Sequence, residues 1–502
     1  MIVAIAFALL LETDPIEQAV TDVRAHGRAT IAGESLGAPE DVARFYEQRE
    51  LAPAWESENA AALIRIIDRA AEDGLDPADY HRALLNEAIS PQQDVLLTDA
   101  FLTLCDHYVR GRVHPESLIA NWCIPPRRFD LPFVLDGALE THSVDVALRT
   151  LAPPHDAYQR LRRALADYRE ADEWAIVDPG PTLCRGDSGP RVAQLRMRLG
   201  ASVAPPIPAA LAGGIAGATL FDAELDSLLR DFQRHHGLNP DGIAGADTIA
   251  ELNVTRQQRI EQLELNLERW RWMPRALPSR YLLVNIAAFE LDGFDDGHPT
   301  ITMRTAVGKH YTKTPFLRSE VTKIVFNPYW NVPPSIAAKE LAPKQQKDAS
   351  YFAREHIEVL PDGKLRQQPG PWNALGKVKF DMPNPFAVYL HDTPSRSVFA
   401  RDARAVSHGC VRVEYPAALA SWLLGQRMDP PAIAKAIASG RNQHVPLDEP
   451  VRVYVLYWTA FVGDDGEVQF RRDVYQRDAE LAAALKHAPR QPQRSQSLSG
   501  PR

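Results

Sequence analysis

Cys410 stands in a setting that suits a nucleophile. It closes the stretch Ser407-His408-Gly409-Cys410, directly after a glycine-containing turn. Upstream, the apolar run from Pro385 to Leu390 reads as a short strand that ends in His391 and Asp392. Fifteen residues separate His391 from Ser407. A thiol with a pKa of about 8.5 is only a few per cent thiolate at neutral pH, so it needs a base or a cationic neighbour. His391 offers that base, able to take the thiol proton and return one to a leaving amine. His408, Gly409 and Cys410 are consecutive, and their main-chain N–H groups can converge on a developing oxyanion. Gly409 permits close backbone approach, and Ser407 can hydrogen-bond locally to fix the loop. The chemistry this set allows is acyl transfer through a thioester.

Each residue alone also has an ordinary reading. A lone cysteine is commonly a small buried hydrophobe, and a histidine at a strand end is commonly structural. The three side chains His391, His408 and Cys410 could also be zinc ligands. Structural zinc takes four ligands, however, usually with a close cysteine pair. The nearest other cysteine is Cys184, so no metal is assigned, and acyl transfer of this kind needs no cofactor. Around this set, Tyr389 shares a strand face with His391 because side chains alternate. The Arg412 fork suits a carboxylate bidentately, or serves as a surface arginine. Trp330 and Tyr329, in Asn327-Pro328-Tyr329-Trp330-Asn331, either line the cleft or pack a strand end.

The elements that must position these residues are mostly strands. Tyr281 to Leu291, Ile301 to Val307, Val321 to Phe326, Pro385 to Leu390 and Val451 to Val462 are rich in Val, Ile and aromatics. Gly463-Asp464-Asp465-Gly466 turns the last run into Val468 to Phe470. The polar segment from Ser335 to Gly376 interrupts the pattern, with helical character in Ile336 to Leu341 and a turn at Asp362-Gly363.

Residues 15 to 175 are helical by periodicity, as in Leu63, Ile66, Ile67 and Ala70 with Gly74 at the C-cap position. Tyr158 to Trp174 repeats the style with Leu161, Leu165 and Tyr168. Between 182 and 254, three short amphipathic stretches are punctuated by glycines, with Asp247 or Thr248 suited to an N-cap. Ile260 to Trp272 forms a further helix that must stop before Pro274.

At 502 residues the chain exceeds one ordinary core. Its 24% charged and 45% hydrophobic residues are those of a globular protein. A net charge of −9 without a long basic stripe argues against nucleic acid as a partner. Nothing in the sequence names a protein partner. Four cysteines do not make a disulfide scaffold, and Cys105 falls on an apolar helix face, although one pair among Cys105, Cys123 and Cys184 stays open. Met1 to Leu11 is apolar but too short to span a bilayer, and it has the length of a signal-peptide core without a basic n-region. A stable membrane span is not expected.

A histidine followed by Ser407-His408-Gly409-Cys410 at this spacing resembles the signature of L,D-transpeptidases with the YkuD-type catalytic domain. Gly186-Asp187, Gly189, Val192, Leu195 and Leu199, followed by Phe232-Gln233, Gly237-Leu238, Asp241-Gly242 and Gly245, resemble the small three-helix peptidoglycan-binding domain. With Glu268 to Pro274 as a connector, the order is similar to the large YcbB-like group of Gram-negative bacteria. The resemblance implies a multi-domain α+β fold. Its parts are an export-signal remnant (1–14), a helical scaffold (15–178), the binding domain (182–254), a connector helix returning to the scaffold (255–275), a mostly-β catalytic domain (280–486) with a cap (about 335–376), and a disordered tail (487–502).

It also implies Cys410 as nucleophile, His391 as proton donor and acceptor, and the Asp392 backbone carbonyl as orienter of the imidazole. His408 and Gly409 fall in the oxyanion loop, and Arg412, Ser407, Tyr389 and Trp330 fall on the substrate side. The implied substrate is a tetrapeptide stem of peptidoglycan with diaminopimelate third, and the implied product is a 3→3 cross-link made in the periplasm. Hydrolysis as an L,D-carboxypeptidase, attachment of a protein to the wall, and a non-catalytic binding scaffold remain the alternatives.

Overall fold

The computed structural model describes residues 14–119, 122, 124–125, 127–200 and 219–487. The expectations for the N-terminal apolar run, Cys123, most of the 201–219 linker and the tail beyond 487 lie outside those residues. The fold is helical in its N-terminal region and mostly β in its C-terminal region.

The N-terminal region is built around the helix Pro91–Arg110. Its sequence is apolar on nearly every side, which suits a helix enclosed by others. Helices Pro15–His26, Pro39–Gln48, Ser57–Asp68, Leu131–Glu140 and Val144–Leu151 surround it and share its core. Two carboxylates on this central helix are buried but bonded. Asp94 accepts from the Tyr46 hydroxyl at 2.7 Å and from the Trp55 amide at 3.0 Å. Asp99 accepts from the Gly37 and Ala38 amides at 2.8 Å. Gly74 ends the Ala70–Asp73 turn at φ 70°, where the sequence places a C-cap. Cys105 is buried, and Cys105 and Cys184 are free thiols.

Helices Pro190–Gly200, Ala223–His235 and Ala246–Leu252 enclose a separate small core of Val192, Leu195, Leu225, Leu229, Phe232 and Leu252. The third helix is capped by Gly245, ahead of the expected Asp247 or Thr248. Thr248 instead turns inward, where its hydroxyl accepts from Gln233 Nε2 at 3.3 Å.

The chain then forms the helix Arg256–Arg271, started by a Thr255/Gln258 capping box. It packs along Asp156–Glu170, and the apolar faces of both helices join the core of the β region. Burying Leu263, Leu267 and Trp270 there contributes roughly 1.5–3 kcal/mol each, with Trp270 stacked on Trp458 at 4.3 Å. The connector is therefore a shared wall between the two regions. Arg271 and Glu268 form a buried ion pair of 2.6 Å on this helix. Arg271 also donates to the Asp73 carbonyl.

Nine strands make the main sheet: β1 (Arg280–Asn285), β2 (Glu290–Asp295), β3 (His298–Gly308), β4 (Leu317–Phe326), β5 (Val378–Asp381), β6 (Leu390–His391), β7 (Ala405–Ser407), β8 (Val411–Val413) and β9 (Gln443–Leu456). Their order is β7-β3-β8-β6-β5-β4-β9-β1-β2, and β2 pairs with β3, so eight of them form a closed circuit with β7 appended to β3. Three expected strands are shorter or divided. Tyr281–Leu291 breaks at residues 286–289, where Phe289 takes φ 54°. Val451–Val462 is interrupted at 457–459, and Ala460–Val462 pairs with Val468–Phe470 as a separate hairpin. Pro385–Leu390 keeps only its last residue in β6. The Asn384 side chain holds a turn instead, accepting from the Phe386 and Val388 amides at 3.1 and 3.2 Å.

Between β4 and β5, the segment after Trp330 forms a helical stretch, Pro334–Lys347 with a π turn at Ala337–Leu341. A small three-stranded sheet of Trp330–Asn331, Ile357–Val359 and Leu365–Gln367 completes it, turning at Asp362-Gly363. After the hairpin, Tyr475 leads into the final helix, Arg477–His487.

Candidate active site

Register brings the site together. β6 and β8 are parallel neighbours, with Leu390 opposite Val411 and His391 opposite Arg412. Leu390 and Val411 are fully buried and face the core. Alternation then puts His391 and Arg412 on the other face, together with Tyr389 and Cys410, one pair further along. β5 runs antiparallel to β6 with Lys379 opposite His391, which adds an ammonium to the same face. Lys379 Nζ lies 4.3 Å from the centre of the Tyr389 ring, and the Tyr389 and His391 rings meet edge to face at 5.6 Å.

His391 is buried, and its Nδ1 lies 2.5 Å from the Asp392 carbonyl oxygen. The Asp392 carboxylate is used elsewhere: Oδ2 accepts from the Lys377 amide at 2.7 Å and Oδ1 pairs with Arg396 at 3.3 Å. It leaves no room for a Cβ at Gly376, whose φ is 62°. Burial is the main reason the imidazole pKa is pulled down to about 3, and the facing Arg412 guanidinium and Lys379 add to it. A carbonyl on Nδ1 fixes the donor there and leaves Nε2 as the acceptor of a neutral ring.

The Cys410 thiol is half-buried, with Sγ 3.9 Å from the Ala387 carbonyl. Burial pushes its pKa up. The Tyr389 amide and hydroxyl, then Lys379 and Arg412, oppose that rise by favouring the thiolate. Tyr389 is itself held well above the ordinary phenol range by burial and by the neighbouring sulfur, and Trp330 reaches its hydroxyl. Ala387 has φ 53°, an uncommon conformation for an alanine and one that aims its carbonyl at the thiol. Arg412 Nε is buried without a hydrogen-bond partner. A guanidinium with an unused donor beside the Cys410 thiol can receive a carboxylate.

The loop before Cys410 is tightly bonded. Ser407 Oγ donates to the Cys410 carbonyl at 2.6 Å and accepts from the Gly409 amide at 3.1 Å. The Gly409 N–H, expected to be available to an oxyanion, is thus taken by Ser407. Gly409 contributes conformation, at φ 116°. The His408 imidazole points away from the thiol toward the inserted segment, where Nε2 lies 2.5 Å from Glu340 Oε1. Tyr329 turns outward under Arg366, at 4.6 Å from the guanidinium, so only Trp330 of that pair approaches the site.

Sequence reasoning missed Lys379, Glu340 and Ala387. Lys379 lies on a short strand whose pairing with β6 no local pattern reveals. Glu340 is one of many carboxylates in a polar helix. The only signal for Ala387 was its place beside the turn-forming Asn384. Among the described residues no three His, Cys, Asp or Glu side chains converge as a metal site, and no helix is long and apolar enough to cross a membrane.

Residues 279–453 match the family model described as "L,D-transpeptidase catalytic domain" (YkuD). Residues 40–165 match "Scaffold domain" and residues 210–252 match "Putative peptidoglycan binding domain". A protein of Haemophilus influenzae named "Putative L,D-transpeptidase" is 31% identical over 258 residues, 47% of this chain and 51% of that one. The chain thus spans about half the length of that curated relative. Among solved structures, an L,D-transpeptidase from Xylanimonas cellulosilytica shares 15% identity at a TM-score of 0.21, over 56% of this chain and 100% of that one. One from Stackebrandtia nassauensis shares 14% at 0.22, over 56% and 96%. At such scores neither likeness bears on the function.

Proposed function

We propose, for a chain that carries a YkuD-type L,D-transpeptidase catalytic domain and a peptidoglycan-binding domain, that Cys410 acylates itself with one peptidoglycan stem and passes the acyl group to an amine of a second stem, making a 3→3 cross-link. The observation that supports this most is the common face of Tyr389, His391, Cys410 and Arg412 set by the β6–β8 register. It offers a thiol, a neutral imidazole and an unpaired guanidinium to one substrate.

In this reading, His391 Nε2 takes the thiol proton as Sγ attacks the carbonyl carbon of the third residue, diaminopimelate. The amides of His408 and Cys410 receive the oxyanion. Collapse breaks the amide bond to the terminal D-alanine, whose amine leaves with the proton from the imidazolium. The side-chain amine of a second diaminopimelate then attacks the thioester, gives its proton to His391, and regenerates the thiol. Arg412 receives a substrate carboxylate. The small three-helix unit holds the polymer, and the periplasm is the compartment where that polymer lies.

The test is to incubate the purified chain with tetrapeptide muropeptides and separate the products by mass spectrometry. Dimers linked 3→3, with one D-alanine released per link, are expected. Tripeptide as the sole product would make the protein a hydrolase, and no turnover at all would make it a binding scaffold.

A further inference from the structure

A chain of buried hydroxyl groups lies behind the Gly409–Cys410 peptide. Thr314 follows β3 and is fully buried. Its Oγ1 donates to the Gly409 carbonyl at 2.9 Å and accepts from the Gly308 amide at 2.8 Å. Both bonding directions of that hydroxyl are used. Its own amide donates at 3.1 Å to the hydroxyl of Tyr475, which in turn donates to the Gly308 carbonyl at 2.5 Å. Tyr475 is also fully buried, and its amide donates to the Tyr457 hydroxyl at 2.9 Å. Asp473 accepts from that hydroxyl at 2.6 Å.

The Gly409 carbonyl and the Cys410 N–H belong to one peptide unit. The described residues contain no cis peptide bond, and in a planar trans unit the carbonyl and the N–H point in opposite directions. Pinning the carbonyl to Thr314 therefore aims the Cys410 N–H the other way, out of the protein interior. Gly409, at φ 116°, has no conformational preference of its own strong enough to do this. We propose that Thr314, braced by Tyr475, is a positioning residue that sets the direction of the Cys410 amide as an oxyanion donor. The proposal rests on the acyl-transfer reading above. Tyr475 follows the hairpin strand Val468–Phe470, so the brace comes from outside the residues that carry the thiol and its base.

The test compares two reactions of the same sulfur. Acylation by a carbapenem opens the lactam: a C–S bond forms, the ring C–N bond breaks, and the thiol proton goes to the ring nitrogen. It passes through a tetrahedral oxyanion. Alkylation by iodoacetamide displaces iodide and needs no oxyanion donor. Thr314→Val should slow acylation about 10- to 100-fold, the range for a misdirected donor, with alkylation within twofold of wild type. Thr314→Ser, which keeps the hydroxyl, should restore acylation. Tyr475→Phe should give a smaller loss in the same direction, and it serves if Thr314→Val does not fold. Equal slowing of both reactions would show that the chain sets the thiol, and unchanged acylation in a folded Thr314→Val or Tyr475→Phe would show that it sets nothing; either overturns the proposal. A wild-type chain that is alkylated but never acylated would instead remove the acyl-transfer reading itself.

Discussion

His391 and Arg412 face each other across the parallel β6–β8 ladder, a buried imidazole opposite a guanidinium. The pair is mutually unfavourable when both are charged, so the ring stays neutral far below the usual histidine range. A neutral ring bonded at Nδ1 is a base without prior deprotonation. The acid limb of carbapenem acylation should therefore fall well below pH 6, toward the imidazole value of about 3. His391→Gln should keep the fold and slow acylation by roughly 10²–10⁴. Stopped-flow rates from pH 4 to 8 check both, and a limb centred near 6.5 would show a solvated imidazole.

Cys410→Ala should give no carbapenem adduct by intact-protein mass spectrometry, whereas the wild type should gain one. Cys105 is buried and Cys184 lies outside the site. Adduct retained in the alanine variant would move the nucleophile elsewhere.

Much of this site was legible in the residues themselves. Cys410 and His391 announce themselves by type and spacing, and period-two alternation already set Tyr389 beside His391. The ladder partner of His391 was not legible, because Lys379 comes from a strand that only tertiary pairing brings alongside. Strand lengths were overestimated where an apolar run hides a turn. Asn384 and Phe289 each divert the chain by local bonding or a positive φ that Val-rich composition does not show. Gly409 was read as an oxyanion donor because sequence cannot tell that Ser407 Oγ takes its N–H.

Acid should destabilise the folded chain. His391 and His107 are pulled down to about 3 and His155 to about 4, in each case mainly by burial. Below about pH 6.5 the unfolded chain takes up protons that these folded rings refuse, so stability falls with pH across the window from 6.5 toward 3. Asp292, raised to about 7 by burial and by Glu290, opposes part of that slope. Each ring contributes up to about 1.4 kcal/mol per pH unit. Urea melts at pH 7, 6, 5 and 4.5 should show a shallower decline for His391→Gln than for wild type; parallel curves would contradict the burial of a neutral ring.

Arg271→Met should cost about 3–5 kcal/mol, because it strands Glu268 in the interior. Adding Glu268→Leu should recover much of the loss. Equilibrium urea unfolding of the single and double variants measures the coupling, which should vanish if the pair is solvated.

Deleting 182–254 should weaken pelleting with sacculi more than it slows carbapenem acylation. The unit is docked as well as linked: Arg471 Nη1 donates to the His235 carbonyl at 2.9 Å, and His236 stacks on Phe470 at 5.5 Å. Circular dichroism must first show the shortened chain folded. Unchanged pelleting by a folded variant would place polymer recognition in the cleft.

The wall shared by Asp156–Glu170 and Arg256–Arg271 constrains the order in which the chain can mature. Tyr168 meets Phe470 at 5.6 Å across about 300 residues of sequence. At ribosomal speed those residues take on the order of tens of seconds to appear. The small three-helix core can close as soon as its own residues have emerged. The apolar flank of Asp156–Glu170 must wait for the last hairpin, exposed for that interval to chaperones or to neighbouring chains.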